Sequence, residues 1–168
     1  MIDILLAASL LTAQSSDAAA APEFTDAELE LAEFWEEMGP TLRDEGIDAY
    51  VARYHPDFTH WDIENTGGLS DRASAAAYWT GFAEAGHVIS CTFVDPVTLT
   101  IVDGVGFGRL YYEQTNHYAD GRVETSAYRM SLVLLRVTAG WQVRETNMVR
   151  IGGSGADDAP FAFRHCSE

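Results

Sequence analysis

From Thr25 onward, apolar residues recur first with a helical period and then with a strand period, dividing the chain into a helical half and a sheet half. Leu29, Leu31, Ala32, Trp35 and Met38 form one stripe behind a Thr25 or Asp26 cap, with Glu28 near the positive end of the predicted helix. Gly39-Pro40 interrupts that stripe. A second helix is predicted from about Thr41, with Leu42, Ile47, Tyr50, Val51 and Tyr54 inward, stopping at His55-Pro56. Phe58 to Glu64 alternates as a short strand, and Ser70 or Asp71 caps a third helix that runs through Phe82 and turns Ala75, Tyr78, Trp79 and Phe82 inward. The rest has strand character: His87 to Asp103 with a break at Asp95-Pro96, Val105 to Tyr118, Val123 to Val137, and Trp141 to Ile151.

Two turns set the expected register. Asp120-Gly121 reads as a two-residue hairpin, which places Ala119 opposite Arg122, Tyr112 opposite Arg129 and Gln114 opposite Ala127. Thr138 to Gly140 makes the next turn; with Val137 facing Trp141, Ser131 lies opposite Asn147, Val133 opposite Glu145 and Arg129 opposite Val149. Together the counts predict one face carrying Leu110, Tyr112, Gln114, Arg129, Ser131, Val133, Leu135, Val143, Glu145 and Asn147. Apolar at one end and polar at the other, such a face suits the lining of a pocket.

Composition narrows the classes. With 168 residues and 47% hydrophobic positions, the chain makes one domain with a real core. Its 10 basic residues, all arginine, stand against 26 acidic ones for a net charge of −16, a field that repels nucleic acid and anionic membrane surfaces. The leader Met1 to Ala21 has the layout of a secretory signal: an apolar run from Ile4 to Leu11, too short to span a bilayer, then small residues up to Ala21. Asp3 and the lack of a preceding Lys or Arg depart from that layout, which leaves a disordered leader as the other reading. Export implies a periplasmic or secreted protein with no membrane insertion after signal removal. Cys91 and Cys166 lack metal-site spacing; they are either a disulfide tying the tail to the domain or two unrelated thiols. The sequence carries no Gly-x-Ser-x-Gly elbow, phosphate loop or dinucleotide fingerprint, and Gly104, Gly106 and Gly108 suit a bent strand or a closely approaching helix.

Tyr54-His55-Pro56-Asp57-Phe58-Thr59-His60-Trp61 at the end of the second helix, and Gly140-Trp141-Gln142-Val143-Arg144 opening the last strand, make the chain resemble the SnoaL-like branch of the nuclear transport factor 2-like superfamily over about Thr25 to Ile151. The resemblance implies an α+β fold: three helices packed on the concave face of a strongly curved antiparallel sheet, a cone-shaped barrel that often pairs as a homodimer through its outer face. The chain then divides into a leader (1–24), the cone domain (25–151) and a Gly-rich C-terminal tail (152–168). This fold hosts isomerases, dehydratases, hydrolases and binding proteins, so it names no activity. In the steroid-isomerase relatives the short strand ends in a proton-shuttling Asp, a position matched by Asp62. Their second acid aligns near Val133, which cannot stabilise an enolate and leaves Tyr112, Ser131 or Arg129 to do so.

Asp62 and His60 fall on one side of the short strand, roughly 7 Å apart, and form the catalytic candidates. Substrate contacts are expected from Tyr112, Arg129, Ser131, Glu145, Asn147, Trp35, Tyr54 and Trp79. Each has a plainer role too: Asp62 as an ion-pair partner of Arg129, His60 as a hydrogen-bonded core histidine, Glu145 and Asn147 as rim residues, the aromatics as core. His55 is expected to hold the last carbonyls of the second helix. No cofactor and no metal are expected. The expected function is an internal pocket for a small, largely apolar molecule, with cofactor-free proton transfer; the alternative is a non-catalytic ligand-binding or dimerisation module.

Overall fold

The computed structural model describes residues 23–62, 70–153 and Cys166; the leader, residues 63–69, which include the expected end of the short strand at Glu64, and the rest of the tail lie outside the described residues. Helix α1 (Asp26–Glu36) starts at a capping box: the Thr25 side chain accepts from the Glu28 backbone N–H while the Glu28 carboxylate accepts from the Thr25 backbone N–H at 3.0 Å. Its stripe, Leu31, Ala32 and Trp35, is buried against the sheet. Helix α4 (Arg72–Glu84) is capped by Asp71, whose carboxylate accepts the Ser74 N–H at 2.8 Å.

The second predicted helix is in fact two, α2 (Met38–Asp44) and α3 (Ile47–Ala52). Gly46 parts them with φ +88°, a backbone angle that glycine adopts without a Cβ penalty. Because α3 ends at Ala52, the next residues join the sheet: β1 (Tyr54–Asp62) begins at Tyr54, and the Val143 N–H donates to the Arg53 carbonyl at 2.9 Å. His55 is therefore a strand residue, not a helix end; its Nδ1 accepts the Asp57 backbone N–H at 3.1 Å.

Strands β2 (Ser70–Asp71), β3 (Val88–Val102), β4 (Val105–His117), β5 (Val123–Val137) and β6 (Gly140–Gly153) complete one six-stranded sheet in the order β2-β1-β6-β5-β4-β3. All pairings are antiparallel except β1 with β6. The break expected at Asp95-Pro96 is a register shift between Pro96 and Thr98 inside one continuous strand. The concave face holds the core: Leu110, Met130, Leu134 and Val143 are fully buried under Leu31 and Met38. At Gly106 a Cβ would lie 2.6 Å from a Leu31 methyl, so glycine there is what lets α1 approach the sheet. Gly106→Ala is expected to cost about 2 kcal/mol of unfolding free energy by overpacking, read by urea denaturation against wild type.

The first hairpin differs from the expected one by a residue. Ala119, Asp120 and Gly121 form a three-residue loop closed by the Tyr118 N–H to Arg122 carbonyl bond of 2.8 Å, with Gly121 at φ +85°. Tyr112 consequently faces Tyr128, Gln114 faces Ser126 and Tyr111 faces Arg129. In the second hairpin Val137 pairs with Gly140 rather than Trp141, and a bulge between Val133 and Leu134 absorbs the difference, so that Ser131–Asn147, Val133–Glu145 and Arg129–Val149 pair as expected. A one-residue slip exchanges the two faces of a strand. The face shared with Leu110 and Tyr112 is therefore Tyr128, Met130, Leu132 and Leu134, and Arg129, Ser131 and Val133 belong to the opposite one.

Candidate functional site

Inside the cone, phenols and indoles meet. Tyr54 opens β1 and Tyr50 lies one helical turn before it; both are buried, with hydroxyls 2.9 Å apart. Trp79, from α4, packs edge-on against Tyr50 at 5.4 Å. The two hydroxyls are hydrogen-bonded to each other in a buried pair. Trp35, from α1, stands edge-on to Tyr112 at 6.0 Å, and its buried Nε1–H lacks a partner among the described residues. Tyr112 donates to the Gln114 Oε1, and Gln114 in turn donates to Asn116 at 2.6 Å.

Burial, the largest cause, drives all three phenols upward. The Tyr54 hydroxyl is pushed up to about 12; Tyr50, close to Tyr54, and Tyr112, close to Tyr128, rise well above the ordinary tyrosine value. They therefore remain protonated donors across the physiological range. One donor without an acceptor among the described residues, Trp35 Nε1–H, thus borders Tyr112 in a desolvated interior, where an unmade hydrogen bond costs about 1–3 kcal/mol.

The inner face of β1 and β6 adds polar groups. His60 pairs with Thr146 in register, and its Nδ1 lies 2.6 Å from the Thr146 hydroxyl, itself buried, while its ring stacks on Phe58 at 6.4 Å. Thr146 thereby fixes the imidazole orientation. Asp62 pairs in backbone register with Met148, which pairs with Met130, so its Cα stands in an inward row; its side chain lies outside the described residues. At the far end of the cone Arg150 holds the Glu124 carboxylate at 2.7 Å, aided by Tyr118 at 3.2 Å.

The Arg150 contact, ahead of the smaller pull of Tyr118 and Arg122, holds the Glu124 carboxyl below the usual range. Its contribution is therefore present above the unfolded carboxylate pKa and lost as pH falls through the lower, folded one. Glu124→Gln is expected to lower stability by about 1 kcal/mol at about pH 7 and by progressively less as the pH is lowered through the folded-state pKa, read from denaturant melts across that range.

The sequence-predicted site residues separate into two groups. Trp35, Tyr54, Trp79 and Tyr112 come together inside the cone. Arg129, Ser131, Glu145 and Asn147 are exposed on the outer face, because the three-residue hairpin turns their rows away from Tyr112. Arg129 therefore stands on the face opposite the row of Asp62. Sequence reasoning misses Tyr50 and Thr146 as site residues; the four-residue spacing of Tyr50 and Tyr54 is the signal that finds the first, while nothing local marks the second. Among the described residues, no group of three or more His, Cys, Asp or Glu side chains is placed to hold a metal. Two surface grooves flank the cone, one of about 460 Å³ between α1, α2 and β3 and one of about 380 Å³ between α3, β1 and α4; His60 and Tyr112 line neither.

Solved structures show the same fold. A ketosteroid isomerase-like protein from Erwinia carotovora is 18% identical, with a TM-score of 0.57 over 77% of this chain and 99% of that one. An NTF2-like protein from Cytophaga hutchinsonii is 11% identical, with a TM-score of 0.60 over 76% and 100%. A candidate calcium/calmodulin-dependent kinase II association domain from Exiguobacterium sibiricum is 13% identical, with a TM-score of 0.61 over 78% and 98%. No known family profile matches the chain, and no curated protein matches it either. The chain thus has the cone fold of the NTF2-like proteins, as the two sequence motifs imply.

Proposed function

We propose that the cone interior binds a small, largely apolar molecule that presents a carbonyl or oxyanion oxygen to Tyr50 and Trp35, with Asp62 and His60 moving a proton next to that oxygen. The observation behind this reading is the buried Trp35 indole N–H, which has no acceptor among the described residues, beside the buried Tyr50–Tyr54 hydroxyl pair. Donors held in a dry site act on developing negative charge without reorganising, which is what enolisation needs. Tyr54 orients the Tyr50 hydroxyl, Trp79 packs on the Tyr50 ring, Tyr112 packs beside Trp35, and Thr146 holds His60. Asp62 is the proposed base.

The test compares two probes that differ by the oxygen: 2-acetylnaphthalene and 2-ethylnaphthalene. The ketone is expected to bind about tenfold more tightly by titration calorimetry, and Trp35→Phe with Tyr50→Phe to abolish the difference. Equal affinity for both probes in wild type contradicts the reading.

We place the protein outside the cytoplasm, on the leader composition and the Cys91–Cys166 disulfide. Recovery from periplasmic extract with the leader cleaved is the expected result. We further propose a homodimer through the outer face, where Trp61 is 52% and Phe107 47% exposed beside Val133. Phe107→Glu is expected to convert it to a monomer in sedimentation equilibrium.

A further inference from the structure

Strand β3 is an edge of the sheet: it pairs with β4 and has no strand on its other side among the described residues. An edge strand turns every second backbone N–H and C=O away from the sheet, where another strand can take them up. Two irregularities frame the usable length. Register shifts lie between Ile89 and Cys91 and between Pro96 and Thr98, leaving Cys91 to Asp95 in regular extension, and Pro96 has no N–H to offer. The groove of about 460 Å³ runs along the start of this edge. Ile89, Ser90, Cys91 and Thr92 line it as four consecutive residues, so the strand meets the groove edge-on rather than through one face.

The opposite wall is helical and acidic. Glu33 and Glu36 stand three residues apart on α1 with no cationic partner among the described residues, whereas Glu37 holds Arg53 at 3.3 Å. Arg43, the basic residue of this wall, is taken up by Asp44 at 2.7 Å. Burial, and then the like charge of Glu33, raise the Glu36 carboxyl above its ordinary value. A cation seated between the two carboxylates relieves that repulsion.

We propose that the β3 edge takes up an extended basic peptide, which pairs its backbone with β3 from Cys91 onward and turns an Arg or Lys side chain towards Glu33 and Glu36. The backbone ladder supplies affinity without regard to sequence, and the carboxylates select charge. Successive side chains of an added strand point to opposite faces, so basic residues are wanted at every second position. The charge of −16 on the chain draws such a peptide in from solution. Neither His60 nor Tyr112 lines this groove, which keeps the surface distinct from the cone interior.

The test follows the fluorescence anisotropy of a labelled, end-blocked peptide, Thr-Arg-Val-Arg-Thr, with the oxidised full chain at low salt. The counterpart with Glu in place of Arg is expected to bind at least about tenfold more weakly, and Glu33→Gln with Glu36→Gln to weaken the arginine peptide by about tenfold. Peptides N-methylated on alternate amides separate strand addition from charge attraction. The frame whose amides face β3 is expected to lose about tenfold, and the other frame to bind as the parent does. Equal affinity of the two frames overturns the strand pairing, and unchanged affinity of the Glu33 and Glu36 variant overturns the placement in this groove. No binding of the arginine peptide to the wild-type chain overturns both.

Discussion

Asp62→Asn is expected to reduce catalysed deuterium incorporation into the methyl group of 2-acetylnaphthalene by about a hundredfold or more, since that step needs a base and the amide is none. Exchange in D2O, followed by proton NMR, isolates proton abstraction from every later step and so needs no knowledge of the natural reaction. The Cα of Asp62 stands in the row of Met148 and Met130, away from water-facing positions such as Asn147. Its thermal melting point is expected to stay near wild type, because the strand is held by its backbone pairing with β6. An unchanged exchange rate removes Asp62 from the proposed chemistry while leaving the Trp35 donor untouched. His60→Ala distinguishes the second group: loss of exchange with unaltered probe binding marks proton transfer, and loss of both marks a packing role on Phe58.

The second large effect concerns stability. Cys91→Ser is expected to lower unfolding free energy by about 3 kcal/mol, the chain-entropy effect of opening the loop that the Cys91–Cys166 disulfide closes across a sequence separation of 75. Chemical denaturation of the oxidised wild type against the variant measures it. The slope of free energy with denaturant is expected to rise in the variant, because the unfolded chain without the cross-link exposes more surface. A difference near zero means that the tail contributes nothing to the folded domain.

The sequence makes the helical half legible because its signals are local. The Thr25 and Asp71 caps, the stripe of Leu31, Ala32 and Trp35, and the inward aromatics Tyr50, Tyr54 and Trp79 are all read within a turn or two. Even there, Gly46 splits a helix whose apolar spacing runs unbroken, since a single positive φ overrides periodicity. The sheet half is less forgiving. An Asp-Gly pair satisfies a two-residue turn and the last positions of a three-residue one equally well, and choosing the shorter loop carries Arg129 and Ser131 to the wrong face. The second hairpin shows the opposite accident, where a turn one residue too long and an unseen bulge before Leu134 cancel. Partners brought together across the sheet, such as Thr146 with His60 or Glu113 with Cys166, leave no local trace.

The buried indole donor is the centre of the account, and the Trp35 Nε1 proton reports on it directly. In nitrogen–proton correlation spectra of the protein titrated with 2-acetylnaphthalene, the Trp35 Nε1–H signal is expected to move downfield and to exchange more slowly with solvent as it acquires an acceptor, with 2-ethylnaphthalene producing neither change. A Trp35 signal that stays in place with the ketone, or that moves identically with both probes, contradicts a carbonyl site inside the cone.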